Sequence, residues 1–175
     1  LAREDLDEAR RLLTSALSRL ERLKATDRIA DACAQLGVVE ASRGNVGAAE
    51  ELLSRAVSLD ERLERPDRIA PRCMLLGQVR LGARSPDEAE AMFQRALSVY
   101  QRLDDPAGSA EAMDHLALAC LARQQGERAE KLLIVSLQGH RRTGRKDKAA
   151  IACCNLGHAL LMQGRDDEAE QAYRT

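Results

Sequence analysis

Cys154 and His158 are the residues whose types and spacing come nearest to a metal site. They are four positions apart, so on a helix they share one face, where a thiolate and an imidazole could supply half of a zinc site. His115 could approach them as a third ligand, but Cys120 falls on a less suitable face and a structural zinc ion needs four ligands. The alternative is an ordinary polar pair, and we predict neither a metal nor a cofactor.

Other reactive side chains form no catalytic pattern. Ser, His and Asp occur without an arrangement that brings a nucleophile to a base, and we predict that the chain is not an enzyme. The acidic pairs Asp104-Asp105 and Asp166-Asp167 are expected at helix starts or joints, where carboxylates cap backbone amides. No glycine-rich phosphate loop is present, because three glycines are expected inside helices: Gly37, Gly77 and Gly157.

The five cysteines suggest a reducing compartment. Their number is odd and no C-x-x-C pair occurs, so a disulfide framework is not expected and an intracellular, cytoplasmic setting fits best. One position recurs as cysteine or methionine, which is typical of a close-packed buried site; redox or metal chemistry is the alternative. Its members are Cys33, Cys73, Met113 and Cys153.

Charge and composition exclude two classes of partner. The net charge is −1 and aromatic residues make up 2% of the 175 residues, so we expect no nucleic-acid ligand. The basic run at 141–148 is either a solvated joint or a contact for an acidic partner or a phosphate backbone. No stretch approaches the roughly 18 apolar residues that a membrane span needs, so no membrane association is expected.

A forty-residue repeat must position these residues. Leu36-Gly37 recurs as Leu76-Gly77, Leu116-Ala117 and Leu156-Gly157, at constant intervals. Further columns keep the same interval: Ala49, Ala89, Ala129 and Ala169; Leu53, Phe93, Leu133 and Tyr173; Ala56, Ala96 and Ser136. Several columns that keep one spacing without an insertion indicate an array of repeats.

Each repeat has the periodicity of two helices. Cys33 and Leu36 fall on one face of a first helix, and Ala49, Leu53 and Ala56 on one face of a second. Turn residues separate the two, and longer joints are expected between repeats. The sequence therefore predicts an all-α chain of antiparallel helical hairpins.

Two local features refine this prediction. Ser85-Pro86 followed by two acids is typical of a helix start with a side-chain cap and a capping box. Glycine inside a helix costs about 1 kcal/mol relative to alanine, so the recurring glycines indicate places where the backbone of a neighbouring helix comes close.

These columns resemble the tetratricopeptide repeat over essentially the whole chain. Its forty-residue variety is similar to the repeats of kinesin light chains, spindle-orientation adaptors, and large bacterial signalling ATPases and regulators. The extra length is expected in the second helix and the joint, at 59–64. The resemblance implies a right-handed superhelical solenoid of antiparallel helix pairs.

The register predicts how the repeats divide the chain. Residues 1–27 match a second helix, full repeats cover 28–67, 68–107 and 108–147, and 148–175 begin a fourth, all within one solenoid domain. The chain thus starts and ends within a repeat, so we expect a segment of a larger protein. Its uncapped ends could stack on another copy.

The resemblance also implies a binding surface, because first helices line the concave face in this family and carry its peptide contacts. The corresponding columns predict partner-binding residues, although packing against neighbouring first helices remains an alternative for each. They are Gln35, Val38, Leu75, Gln78, His115, Leu118, Leu121, Asn155, His158, Leu161 and Met162.

The function expected from this surface is non-enzymatic protein–protein interaction. A peptide or helix of a partner protein would lie in the groove, with apolar anchors giving affinity and polar side chains giving orientation. The alternative is a structural or regulatory spacer, or a sensor segment, of a larger multidomain signalling protein, which packs against its own chain.

Overall fold

The computed structural model describes residues 3–174, which form helices joined by short connectors and contain no strand. The all-α prediction is confirmed. None of the helices in this range is long and apolar enough to cross a membrane. Their bounds are α1 Arg3–Arg22, α2 Thr26–Ser42, α3 Val46–Arg62, α4 Pro66–Gly82, α5 Pro86–Arg102, α6 Pro106–Ala122, α7 Gly126–Arg142, α8 Lys146–Leu161 and α9 Asp166–Tyr173.

The chain divides into two compact units, the first ending at Arg84 and the second beginning at Ser85. Within each unit every helix packs on the next one along the chain, and the first helices of adjacent repeats also touch: α2 contacts α4, and α6 contacts α8. The repeat limits drawn from the sequence stay a prediction.

The cores of both units consist of the predicted repeat columns. Leu53, Phe93 and Leu133 are fully buried, and the small residues of the alanine columns pack around them. The cysteine column is also buried as predicted at Cys33, Cys73 and Cys153, whereas Met113 is half-buried. Leucine, alanine and cysteine at close approach therefore fill a core that contains few aromatic rings.

The recurring glycines face side chains more than backbone. A Cβ on Gly37 would lie 2.8 Å from Leu53 Cγ and 3.3 Å from the Ala49 carbonyl oxygen, and one on Gly157 would lie 2.5 Å from the Tyr173 ring. The predicted approach of a neighbouring backbone is therefore present at Gly37, whereas at Gly157 the nearest atoms belong to a side chain. The bulky residue sixteen positions downstream fills the space that a Cβ would occupy.

The connectors correct two sequence predictions. All but the last are three residues long, and the last, 162–165, has four. Since α2 to α7 each contain 17 residues, the joints between these repeats are no longer than the turns within them, and the second helices are no longer than the first. The predicted cap at Ser85 is wrong, since its side chain makes no capping hydrogen bond although Pro86 does begin the helix. Asp105 does cap a helix: its Oδ1 accepts from the amides of Ala107 (3.0 Å) and Gly108 (2.9 Å).

A left-handed residue recurs in every connector. Glu64 has φ 53°, and the flanking hydrogen bonds from Arg65 N to Asp60 O (3.0 Å) and from Glu64 N to Glu61 O (3.1 Å) form a Schellman motif. Glycine occupies three of these positions, and the others carry a side chain. The left-handed residues are Lys24, Gly44, Glu64, Arg84, Asp104, Gln124, Gly144 and Gly164.

This twenty-residue regularity gives a stability prediction. Because a left-handed conformation is strained for an L residue and free for glycine, Glu64→Gly should raise the free energy of unfolding by about 0.5–1 kcal/mol. Gly44→Ala, at φ 82° with open space around its Cβ, should lower it by a similar amount. Urea unfolding followed by circular dichroism measures both, and a loss of stability in Glu64→Gly would contradict the assignment.

Two polar pairs are buried within the helical layers. Asp60 and Arg72 are 0% and 5% exposed, and Asp60 Oδ2 lies 2.5 Å from Arg72 Nη1. In the second unit Nε2 of the fully buried His140 lies 2.7 Å from Asp114 Oδ2. Each pair joins two helices through charge or hydrogen bonding.

Candidate partner-binding surface

An apolar cleft of about 460 Å³ lies in the first unit. Three predicted partner-binding residues line it together: Val38 on α2, and Leu75 and Gln78 on α4. Val38 and Gln78 are exposed and Leu75 is half-buried. The remaining lining residues are small or aliphatic: Ala41, Ser42, Val46, Leu53, Val79 and Gly82.

The repeat itself opens this cleft. Leu36 and Gly37 face the core, and since successive helical residues are about 100° apart, Val38 turns away from it and is 40% exposed. The absent Cβ of Gly37 lets Leu53 of α3 approach α2 and contribute to the cleft wall. The Ser42 hydroxyl donates to the Val38 carbonyl oxygen (2.9 Å). The lone pairs of the Ser42 oxygen can therefore accept a hydrogen bond from a partner.

Sequence reasoning missed Val46, the first residue of α3, which also lines the cleft. A signal was present, because Val46 is aliphatic in a column whose later members are Pro86, Gly126 and Asp166, although Leu6 precedes it. Gln35, by contrast, was predicted at the surface and lies exposed on α2, outside the residues that line the cleft.

The second unit presents the other predicted residues on α6, on α8 and at the end of α8. Leu118, Leu121 and Asn155 are half-buried, and Leu121 packs against the apolar cluster around Cys120 and Leu133. Three are exposed: His158, Leu161 at 43% and Met162 at 38%. The apolar surface that a partner could reach is therefore concentrated near the end of α8.

His115 is held by stacking rather than left open. Its ring lies over that of Phe93, with a centroid separation of 5.2 Å and an interplanar angle of 23°. Burial lowers the pKa of His115, although the nearby carboxylates of Glu111 and Asp114 oppose this effect. The imidazole is therefore neutral at neutral pH.

Four of the five cysteines are buried and contribute to packing, and Cys154 is exposed. Burial raises the pKa of Cys33, and it raises that of Cys73 to about 11, so these thiols stay protonated at neutral pH. Cys154 and His158 are both exposed on α8. Within residues 3–174, no three His, Cys, Asp or Glu side chains are grouped as metal ligands.

The basic run at 141–148 is partly neutralised. Lys148 Nζ lies 2.8 Å from Glu111 Oε1, and Arg145 Nη1 lies 3.4 Å from Glu111 Oε2. Burial would raise the pKa of Glu111, but the Lys148 hydrogen bond and both nearby cations outweigh it and lower that pKa. Arg141 and Arg142, the first residues of the run, remain exposed on α7.

Comparison with known proteins supports the repeat assignment. Residues 150–175 match the tetratricopeptide repeat family model. BtubC (BKLC) from P. vanneervenii superposes with a TM-score of 0.88 over 97% of this chain and 71% of its own, at 21% identity. The chain has the tetratricopeptide repeat fold. The resemblance drawn from the repeat columns is thereby confirmed.

Two further tetratricopeptide-like structures are similar in fold. A putative kinesin light chain from P. anserina, solved with nearly identical repeats, has a TM-score of 0.83 and 18% identity, covering 97% of this chain and 84% of its own. A Rap protein complexed with Competence and Sporulation Factor has a TM-score of 0.80 and 16% identity. The superposition with the Rap protein covers 98% of this chain, which spans about half of the Rap chain (48%). No curated protein matches the sequence significantly.

Proposed function

We propose that this chain is a non-enzymatic protein-interaction module that binds a peptide or helix of a partner protein on the surface of its first helices. In the first unit the contacts would come from Gln35, Val38, Leu75 and Gln78. In the second they would come from His115, Leu118, Leu121, Asn155, His158, Leu161 and Met162. An intracellular, cytoplasmic setting suits its free thiols.

The observation that carries this proposal is the cleft of the first unit. Val38, Leu75 and Val79 offer aliphatic surface, while Gln78 and Ser42 offer hydrogen-bonding groups at its edge. Such an apolar recess with a few polar groups suits the side-chain anchors of an extended or helical segment. The fold supports the same role, since a Rap protein of this fold is complexed with a named factor.

A binding selection tests the proposal. Random peptides displayed on phage are selected on the wild-type chain, and the winners are measured by fluorescence anisotropy. Val38→Glu places a charge in the cleft at a position where the next repeat has a polar residue, Gln78, so folding should be retained. We expect it to weaken peptide binding at least about tenfold, because the carboxylate must be desolvated.

Ile151→Glu is the matched control. Ile151 is 53% exposed on α8, and two of the three equivalent positions in earlier repeats carry acids, Asp31 and Glu111, while the third is Pro71. This variant should bind the selected peptides within about twofold of wild type. Equal binding by Val38→Glu and wild type, or a selection that yields no specific peptide, would contradict the proposed function.

A further inference from the structure

The outward face of α7 differs from that of the other second helices. Ile134 and Val135 are 41% and 49% exposed there. The equivalent positions hold Ser54-Arg55 on α3 and Gln94-Arg95 on α5. An aliphatic pair thus stands where the other repeats have polar and basic side chains, and core packing does not account for it.

A pocket of about 290 Å³ lies beside Val135 of this pair. In the first unit Arg55 Nη2 lies 2.6 Å from Glu21 Oε1, across two second helices. Eighty residues on, the same two positions hold Val135 and Gln101, and both line the pocket. Since neither residue is charged, no ion pair spans these positions, and Met113 contributes further apolar lining.

Unpaired cations flank the aliphatic pair. Lys131 lies one turn before it and Arg141 and Arg142 lie two turns after it, all exposed and without an ion pair in the described part of the chain. The span from Lys131 to Arg142 is about 16 Å along the helix. Three acids lie near this face: Glu127 in the first turn of α7, and Asp104 and Asp105 at the pocket, where Asp105 accepts hydrogen bonds from the first amides of α6.

We propose that this α7 face, made of Lys131, Ile134, Val135, Arg141 and Arg142, docks an acidic amphipathic segment of a partner protein. An aliphatic side chain of the segment enters the pocket beside Val135, and its carboxylates pair with the three cations. Unpaired cations on both sides of an apolar centre complement this chemistry. A nucleic acid fits less well, because the centre of the face is aliphatic and offers its bases no stacking partner.

Anisotropy with defined probes tests this proposal. The probe is a fluorescein-labelled peptide of about 14 residues in which pairs of glutamates alternate with pairs of leucines. Two control peptides replace its leucines with alanine or its glutamates with lysine. Both controls should bind at least about tenfold more weakly, because one loses the pocket anchor and the other the charge pairing.

Variants taken from the chain's own repeats locate the contact. Ile134→Ser with Val135→Arg reproduces the α3 residues, and Arg141→Glu with Arg142→Glu reverses the flanking charge; each double variant should weaken binding at least about tenfold. Arg62→Glu with Arg102→Glu makes the same charge change at equivalent exposed positions and should stay within about twofold. Circular dichroism checks that each variant is folded.

Three outcomes overturn the proposal. One is no saturable binding of the probe peptide. Another is binding that Val38→Glu abolishes and the α7 variants leave intact, which would place the peptide in the cleft of the first unit. The last is tighter binding of a thymidine oligonucleotide than of the peptide, lost with Arg141→Glu and Arg142→Glu but kept with Ile134→Ser and Val135→Arg. The proposal for the cleft of the first unit is tested separately, with the peptides selected by phage display.

Discussion

Arg72→Ala should destabilise the protein by about 3–5 kcal/mol, because it leaves the carboxylate of Asp60 buried and uncompensated. Asp60 is fully buried, and neither of its oxygens accepts a well-aligned hydrogen bond, so the 2.5 Å ion pair with Arg72 is its compensating contact. Arg72 also lies 2.6 Å from Asp31 Oδ1 and donates to the Ala56 carbonyl oxygen. Urea unfolding of the variant measures the loss.

The chain supplies its own control for this pair. One repeat earlier the same two positions hold Leu20 and Ala32, which pack in one apolar cluster. Asp60→Leu combined with Arg72→Ala copies that arrangement and should recover most of the lost stability, since an apolar replacement of a buried pair is often neutral. A double variant as unstable as Arg72→Ala alone would contradict the account.

The pH dependence of Arg72→Ala follows from the Asp60 carboxyl. Burial raises the pKa of Asp60, and Arg72 opposes this effect, so removing Arg72 raises it further. A carboxyl with a raised pKa in the folded state stabilises most below its unfolded pKa and loses that contribution as pH rises. The deficit of the variant relative to wild type should therefore be smaller at about pH 4 than at pH 7.

Phe93→Ala should cost a similar amount, about 3–5 kcal/mol, through the cavity it leaves in the second unit. Phe93 is the largest of the fully buried side chains. Its ring also stacks on His115, a contact worth about 0.5–1.5 kcal/mol beyond burial. Denaturant unfolding measures the total loss.

Phe93→Leu is the control for this cavity, since Leu53 and Leu133 occupy the same column. It should cost less than about 1.5 kcal/mol, because the volume is largely kept. The His115 imidazole gives a local readout by NMR titration. Opening its surroundings in Phe93→Ala should raise its pKa toward the ordinary value, because burial is what lowers it. Equal losses in the two variants would contradict the assignment.

The core residues could be predicted from the sequence because the positions that pack against each other recur every forty residues. Gly37 lacks a Cβ where Leu53 approaches, and the same two positions hold Gly77 and Phe93 one repeat later. The connectors could not be read in the same way. Glu64 adopts a left-handed conformation, which glutamate does not favour. The residue types in the connectors therefore did not indicate that the turns recur every twenty residues.

Contacts outside the repeat pattern were not predictable. Asp60 and Arg72 are buried in columns whose other members are mostly apolar, and a single pair twelve residues apart leaves no periodic signal. At the candidate surface the columns located Val38, Leu75 and Gln78, which share one cleft. The repeat columns could not show that these side chains line a cleft whereas Leu121 packs against the core cluster of its unit.

The central claim, that a partner segment binds in the cleft of the first helices, is tested most directly by NMR. Titration of the isotope-labelled chain with its best selected peptide locates the contact residue by residue. We expect the largest shifts in the amides of Val38, Leu75 and Gln78, with cross-relaxation between peptide and Val38 methyl groups. Shifts confined to the second helices, with the cleft resonances unmoved at saturation, would contradict the claim.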